Sequence, residues 1–347
     1  MKEYPTPPQE DQPMDDAAHF RPAPPQEDQP MDDAVNVQPA PPTSLDLYNR
    51  GEPLWTKCIL EDIRAQFEDN IPLFVVHCLD DSTGWLGYTR YAIRQRCCCD
   101  PEYPYMFPQY GFAELDRAFK IASKDWSKHE TRHKFSAALL GQELPPTINK
   151  IICFGLGNHL TKKLEYWTQH PAAITIRNAI RLKLGHKVRL LTHLPEYTAD
   201  TKAVLEKYGF EVIGMNGVDG FIEVDENSVV FSTPSDTPVK QILAELARPA
   251  VIITRPFREA DLDWVDKSDK SDKDHLSFES WSLGMHDRFD PDTPRTKAMF
   301  ADYIGIPLWE ASGETAPGLW GSWLKTEMQV YVRNEDCKPM KTKSVSF

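Results

Sequence analysis

The chain has 347 residues, and its 39 lysines and arginines against 52 aspartates and glutamates give a formal net charge of −13. This acidity argues against non-specific binding to DNA or to an anionic membrane surface. No stretch approaches the roughly 18 consecutive apolar residues that span a bilayer. We therefore expect no direct contact with nucleic acid or membrane.

The cysteines indicate a reducing compartment. Their number is odd, seven, and three are consecutive at 97–99, a spacing that suits neither a disulfide framework nor two thiolates binding one zinc ion. The N-terminal segment also lacks the apolar run of a secretory signal. The sequence thus predicts reduced thiols and a location in the cytoplasm, the nucleus or both.

The first 45 residues are predicted to be a disordered tail. The segment PPQEDQPMDDA occurs at 7–17 and again at 24–34. Proline disfavours helix and sheet, and the acidic side chains repel one another, so the segment cannot bury enough apolar surface to order itself. The tail is either a plain solvated segment or a binding site for a protein partner.

Residues 46–146 are predicted to form a helical and irregular region that packs on the core. Apolar residues at helical spacing indicate a helix at 55–67 and one long helix at 112–140. The run at 73–79 is typical of a strand, and 88–109 is expected to be irregular.

Residues 147–255 carry the main fold signal, because short apolar runs alternate there with amphipathic segments. The predicted strands are 150–155, 188–192, 210–214, 228–232 and 250–254, and the predicted helices are 172–184, 198–208 and 239–247. Strands that are apolar throughout are typical of a parallel sheet covered on both faces. The sequence therefore predicts an α/β fold, a Rossmann-like, doubly wound and mainly parallel sheet, with strand order 3-2-1-4-5 and no helix between strands three and four.

Residues 256–333 are predicted to be a C-terminal extension that packs on the sheet. It contains a charged loop at 266–274 and tryptophans at 281, 309, 320 and 323. An edge strand is expected at 329–332, and 334–347 is expected to be frayed.

One motif resembles a zinc-protease signature. In His129-Glu130-x-x-His133, two imidazoles on one helix face could bind zinc, with the glutamate as base. Lys128, Arg132 and Lys134 would repel the metal, however, and no third ligand is obvious. We therefore predict a charged, exposed helix face and no metal site.

A candidate ligand crevice follows from the predicted strand order. The ends of strands one and four meet at the point where the order reverses, which is where such sheets bind ligands. Two alternatives stay open: the glycines could form only a tight turn, and Ser235 or Asp236 could only cap the next helix. The candidate residues are Gly155, Gly157, Asn158, His193, Thr233, Ser235 and Asp236.

The serial order of five segments resembles the family named for a plant protein, SENSITIVITY TO RED LIGHT REDUCED, in its fungal-type versions. The segments are ICFGLGN at 152–158, TIRNAIRLKLG at 175–185, YTADTKAVLEKYGFEVI at 197–213, SVVFSTPSD at 228–236 and RPAVIIT at 248–254. Family members usually carry Asp-Pro after strand two and often Pro-His-Cys after strand four. This chain has Thr192-His193-Leu194-Pro195 and Pro234-Ser235-Asp236 instead.

The resemblance implies a role in signalling or regulation, since members are linked to light and clock signalling, cytoskeletal stability or haem metabolism. It brings no defined reaction, cofactor or catalytic residue. Two functions remain open: a non-catalytic regulatory protein, and an enzyme or sensor that binds a nucleotide-like small molecule at the crevice.

Overall fold

A seven-stranded sheet organises the chain, with strand order β3-β2-β1-β4-β5-β7-β6. The computed structural model describes residues 51, 53–68, 110–157, 168–194, 197–214, 218–233, 237–259, 290, 292–308 and 328–334. These residues all belong to one compact unit, Pro42–Phe347. The strands are β1 Lys150–Phe154, β2 Arg189–His193, β3 Glu211–Val212, β4 Ser228–Ser232, β5 Val251–Thr254, β6 Tyr303–Pro307 and β7 Gln329–Arg333.

The first five strands are parallel and stand in the predicted order. In the centre, Ile152 lies opposite Leu191 of β2 on one side and Val230 of β4 on the other. β7 joins β5 antiparallel, with Ile252 opposite Tyr331, and β6 joins β7 antiparallel. The predicted α/β fold with a mainly parallel sheet is confirmed.

Helices cover both faces of the sheet, because its central strands are apolar on both sides. Along β1, Ile151 and Cys153 enter one core, whereas Ile152 and Phe154 enter the other. The helices are α1 Lys57–Glu68, α2 Phe112–Lys128, α3 Glu130–Leu140, α4 Gln169–Leu184, α5 Ala199–Lys207, α6 Asp219–Ile222, α7 Val239–Leu246 and α8 Pro294–Phe300. Helices α2 to α5 supply residues to the first core; α1, α6, α7 and α8 supply the second.

The single long helix predicted at 112–140 is wrong, because the chain breaks at His129 into α2 and α3. The backbone of His129 is extended, with φ −80° and ψ 133°. Its Nδ1 accepts a hydrogen bond from the N–H of Thr131 at 3.3 Å, and its ring stacks on Trp126 with centroids 5.9 Å apart. The histidine thus caps the second helix instead of continuing the first.

Two further expectations need correction. The strand predicted at 329–332 is not at the edge: β7 lies between β5 and β6, and the unpredicted strand β6 forms the edge. The connection between β3 and β4 does contain a helix, the four-residue α6. Its close approach to the sheet requires Gly220, since a Cβ there would lie 2.8 Å from side-chain atoms of His193 and Phe154.

Several predictions lie outside the described residues. They are the tail at 1–45, the strand at 73–79, the irregular region at 88–109, the charged loop at 266–274, the four C-terminal tryptophans, and the frayed end beyond Asn334. The residue bounds predicted for the separate segments also stay a prediction. Within the part of the chain that the structure describes, no helix has the length and apolarity to cross a bilayer.

Candidate functional site

The loops after β1 and β4 contact each other, as the predicted strand order requires. The backbone N–H of Thr233 donates to the carbonyl of Phe154 at 3.2 Å, and the hydroxyl of Thr233 donates to the carbonyl of Gly155. Thr233 is 2% exposed. The carboxyl ends of the two strands therefore lie side by side at the switch point of the sheet.

The turn after β1 requires glycine at two positions. Gly155 has φ 69° and Gly157 has φ 77°, both in the left-handed region that residues with a Cβ rarely adopt. Between them, Leu156 is fully buried in the core and fixes the turn to the fold. The backbone conformation alone thus explains why glycine stands at both positions. In addition, two positions of the turn carry no side chain at the switch point.

His193 ends β2 and is held against the second core. Its Nδ1 accepts a hydrogen bond from the N–H of Gly220 at 3.1 Å, and its ring lies 6.0 Å from that of Phe154. The imidazole is 7% exposed. Because Nδ1 accepts, the neutral ring carries its proton on Nε2. This histidine therefore positions helix α6 at the carboxyl edge of the sheet.

A cluster of three buried polar side chains also lies at the end of β2, on the face of the sheet opposite to His193. The sequence analysis did not identify it. The hydroxyls of Thr192 and Tyr197 are 3.0 Å apart, and Tyr197 Oη lies 3.0 Å from Nε2 of His170. All three residues are buried. The chain of bonds ties the start of α4 to the strand.

Three of the predicted crevice residues, Asn158, Ser235 and Asp236, lie outside the described residues. The residue at the N-cap of α7, Pro238, makes no side-chain capping bond. A distant acid does so instead: Oδ2 of Asp290 accepts from the backbone N–H of Lys240 at 3.0 Å. The start of α7 is therefore capped from the C-terminal part of the chain.

Asp290 belongs to a buried charge cluster, which we define as Lys240, Arg255, Asp290 and Asp292. The ammonium of Lys240 donates to Oδ1 of Asp292 at 2.7 Å, and their side chains are 2% and 1% exposed. Oδ2 of Asp292 accepts from the N–H of Arg258 at 2.8 Å. The cluster thus joins α7 to the segment after β5.

Burial raises the pKa of Asp290 to about 6, while the charges of Lys240 and Arg255 act in the opposite direction. Its Oδ1 is buried and has no hydrogen-bond partner among the described residues. Sequence reasoning missed this cluster, although Thr293 followed by Pro294 is a typical helix start and would have drawn attention to 290–294. In the structure, Thr293 caps α8 by accepting from the N–H of Thr296.

The motif His129-Glu130-x-x-His133 does not form a shared helix face. His129 lies at the break, outside α3, and burial lowers its pKa. His133 and Arg132 are exposed, as the prediction of a charged surface expected. Among the described residues, no group of three His, Cys, Asp or Glu side chains could hold a metal ion.

The described cysteine in the sheet is chemically inert. Cys153 is fully buried in β1, and burial raises the pKa of its thiol well above the ordinary range. A thiol that stays protonated is a poor nucleophile. The run at 97–99 lies outside the described residues.

Comparison with known proteins identifies a family. A family model described as the SRR1 domain matches residues 125–302, which span α3 through α8 and the carboxyl edge of the sheet. No curated protein matches the chain.

Two solved structures show a weak likeness. A candidate methyltransferase from Thermobifida fusca YX is 12% identical over 68% of this chain and 99% of its own, with a TM-score of 0.30. Cofactor-bound Rv0187 from MTB is 11% identical over 78% of this chain and 96% of its own, with a TM-score of 0.26. At these scores neither likeness assigns a function to this chain.

Proposed function

We propose that this chain, which belongs to the SRR1 domain family, is a regulatory protein without a reaction of its own. Its sheet is of the Rossmann-like, doubly wound type, a proposal that the strand order β3-β2-β1-β4-β5 supports. A protein partner that binds the segment 1–45, and a location in the cytoplasm, the nucleus or both, are parts of the same proposal.

One observation carries this proposal: the polar side chains described at the carboxyl edge are bound within the fold. Thr233 donates to Gly155, and Thr192 is bonded to Tyr197. His193, the side chain best suited to general base catalysis at neutral pH, accepts from the N–H of Gly220. In an enzyme, such polar side chains would contact the substrate. Here they bind other parts of the fold, which favours a structural role for them.

The proposal is tested by looking for turnover. The purified chain is incubated with nucleotides and with methyl donors, and their conversion is followed by mass spectrometry. We expect no conversion above that of a protein-free control. Conversion that is lost in His193→Ala but kept in His133→Ala, an exposed histidine on α3, would show that the chain is an enzyme.

A second candidate function is the binding of a nucleotide-like small molecule at the switch point. The left-handed Gly155 and Gly157 favour it, because two positions without a Cβ at the carboxyl edge let a phosphate approach the backbone. Thr233 holds the neighbouring loop in place beside this turn.

A thermal-shift screen with nucleotides, methyl donors, haem and metals tests this second function. Gly157→Ala should stay folded and lose the shift that a binding compound gives in the wild type. Gly185→Ala is the matched control, because Gly185 has a similar φ of 76° but follows α4 at the opposite edge of the sheet, with open space around it. A shift that both variants keep would refute binding at the turn.

A further inference from the structure

A cavity of about 370 Å³ lies beside the C-terminal end of α4. The helix ends at Gly185, which has φ 76°, and a short loop then leads into β2. Because this loop precedes β2, the cavity lies at the edge of the sheet opposite to the switch point. Six residues line it, all of them exposed: Asn178, Arg181, Leu182, Gly185, His186 and Lys187.

The surroundings of the cavity are strongly basic, although the chain as a whole is acidic. Residues 166–195 contain five lysines and arginines and no aspartate or glutamate. Of these five cations, one forms an ion pair with a described residue: Arg189 is paired with Glu211. Arg181 and Lys187, which line the cavity, have no such pair among the described residues. Their charges therefore remain available to an anionic partner.

The alternative is that the cations only stabilise the end of α4. A helix C-terminus carries roughly half a negative charge, which attracts lysine and arginine. Lys183 fits a structural role, because its ammonium donates to the carbonyl of Leu140 at 2.9 Å. Burial lowers the pKa of Arg177, however, and the charge of Arg181 lowers it as well. The cations thus repel one another, and the helix end balances only part of their charge.

Two hydrogen bonds fix the loop that borders the cavity. Nε2 of His186 donates to the carbonyl of Ile148 at 2.7 Å, which ties the loop to the segment before β1. The N–H of Gly185 donates to the carbonyl of Arg181 at 2.9 Å. The cavity is therefore formed before a partner arrives, which lowers the entropic cost of binding.

Leu182 adds an apolar contact to this basic surface. It is 75% exposed, more than any other large apolar side chain of the described residues, and it shares a helix face with Arg181, Asn178 and Gly185. A bare phosphate ion would leave Leu182 in water, and a membrane anchor needs a wider apolar face. Cations beside one leucine fit a peptide that has both carboxylates and an apolar side chain.

We propose that this cavity binds an acidic peptide segment of a partner protein, with carboxylates on Arg181 and Lys187 and an apolar side chain against Leu182. The fork of an arginine guanidinium matches a carboxylate in two parallel hydrogen bonds. This proposal rests on the proposed function, a regulatory protein that acts through a partner, and adds a binding surface outside residues 1–45.

The test measures dissociation constants by fluorescence anisotropy with the full chain and a labelled peptide that has one leucine between two glutamates on each side. Replacing the glutamates by glutamines should weaken binding at least about tenfold, and replacing the leucine by serine about threefold. Raising the salt concentration should also weaken binding. These arms use the wild-type protein and do not depend on how a variant folds.

The protein-side arm removes the two cations. Arg181→Gln/Lys187→Gln should bind the peptide at least about fivefold more weakly than the wild type. Lys124→Gln/Arg132→Gln is the matched control: it removes two exposed cations from α2 and α3, causes the same change in net charge, and should bind like the wild type.

A second pair of variants tests the apolar contact. Leu182→Gln should lose the preference for the leucine peptide over the serine peptide. Ile304→Gln, which changes a 55% exposed side chain on β6, should keep that preference.

The opposite results would overturn the proposal. They are equal affinity for the glutamate and glutamine peptides, wild-type affinity in Arg181→Gln/Lys187→Gln, or an unchanged leucine preference in Leu182→Gln. Binding to phosphatidylserine vesicles without binding to the peptide would assign the surface to a membrane instead. Absence of peptide binding overturns this docking surface and leaves the proposed function to the turnover assay, whereas turnover lost in His193→Ala overturns the proposed function even if the peptide binds.

Discussion

Lys240→Met should cost this protein a large part of its stability. The ammonium and its partner Asp292 are almost fully buried, 2% and 1% exposed, and their atoms are 2.7 Å apart. Removing one partner of such a pair leaves the other charge buried and costs about 3–5 kcal/mol. Asp292 keeps its bond from the N–H of Arg258 at 2.8 Å, so we expect a value near the lower end, about 3 kcal/mol.

The assay is urea unfolding followed by tryptophan fluorescence and circular dichroism. With a slope of about 2–3 kcal/mol per molar urea, the midpoint should fall by about 1 M or slightly more. Asp292→Ala should cost more than Lys240→Met, because it also leaves the N–H of Arg258 without its acceptor. The double variant should cost clearly less than the sum of the two, since the pair is then absent as a whole.

A matched control is Lys187→Met, which removes an exposed lysine and should change the free energy of unfolding by less than about 0.5 kcal/mol. If the free energy of unfolding of Lys240→Met lies within about 1 kcal/mol of the wild-type value, the ammonium is not buried against Asp292. That result would refute the buried charge cluster.

Three other changes have defined outcomes. Burial raises the pKa of Asp290 to about 6, so its contribution to stability is fully present below about pH 4 and is lost as the pH rises through 6. Relative to Asp290→Asn, the free energy of unfolding of the wild type should fall by on the order of 2–3 kcal/mol over that window. If the free energies of unfolding in urea change with pH in the same way for both proteins, this prediction is wrong. Gly157→Val should lower the free energy of unfolding by roughly 1–3 kcal/mol, because φ 77° is strained for valine; a denaturation curve that matches the wild type would exclude the left-handed turn. His133→Ala should change the same quantity by less than about 0.5 kcal/mol, and metal analysis should find no stoichiometric zinc; one zinc per chain, lost in the variant, would restore the metal-site hypothesis.

The parallel part of the sheet could be predicted because the hydrophobic pattern of each strand is contained in a few consecutive residues. Strands β1, β4 and β5 are buried on both faces, and Gly185 ends α4. The wrong predictions concern features that depend on tertiary contacts, which the spacing of residues in the sequence does not reveal. The break at His129 comes from a cap and a stacked ring, and β6 has exposed residues on most of its length, so its pattern is not that of a buried strand.

The candidate site was predictable only in part, for a similar reason. Gly155 and Thr233 follow strands that the pattern identified, and the strand order brings them together. Asp290 and Asp292 could not be placed, because they reach α7 across 50 and 52 residues of sequence. Charged residues in a polar stretch look solvated until the fold shows which buried groups they bind.

The position of β7 also sets the order in which the sheet can be completed during synthesis. About 75 residues separate the end of β5 at Thr254 from the start of β7 at Gln329. At roughly 5–20 residues per second, the ribosome needs about 4–15 s to add them. Throughout that interval the apolar edge of β5 has no neighbouring strand, and open edges of this kind pair readily with other chains. Slower synthesis of residues 255–328 should therefore increase edge-to-edge association of the nascent protein.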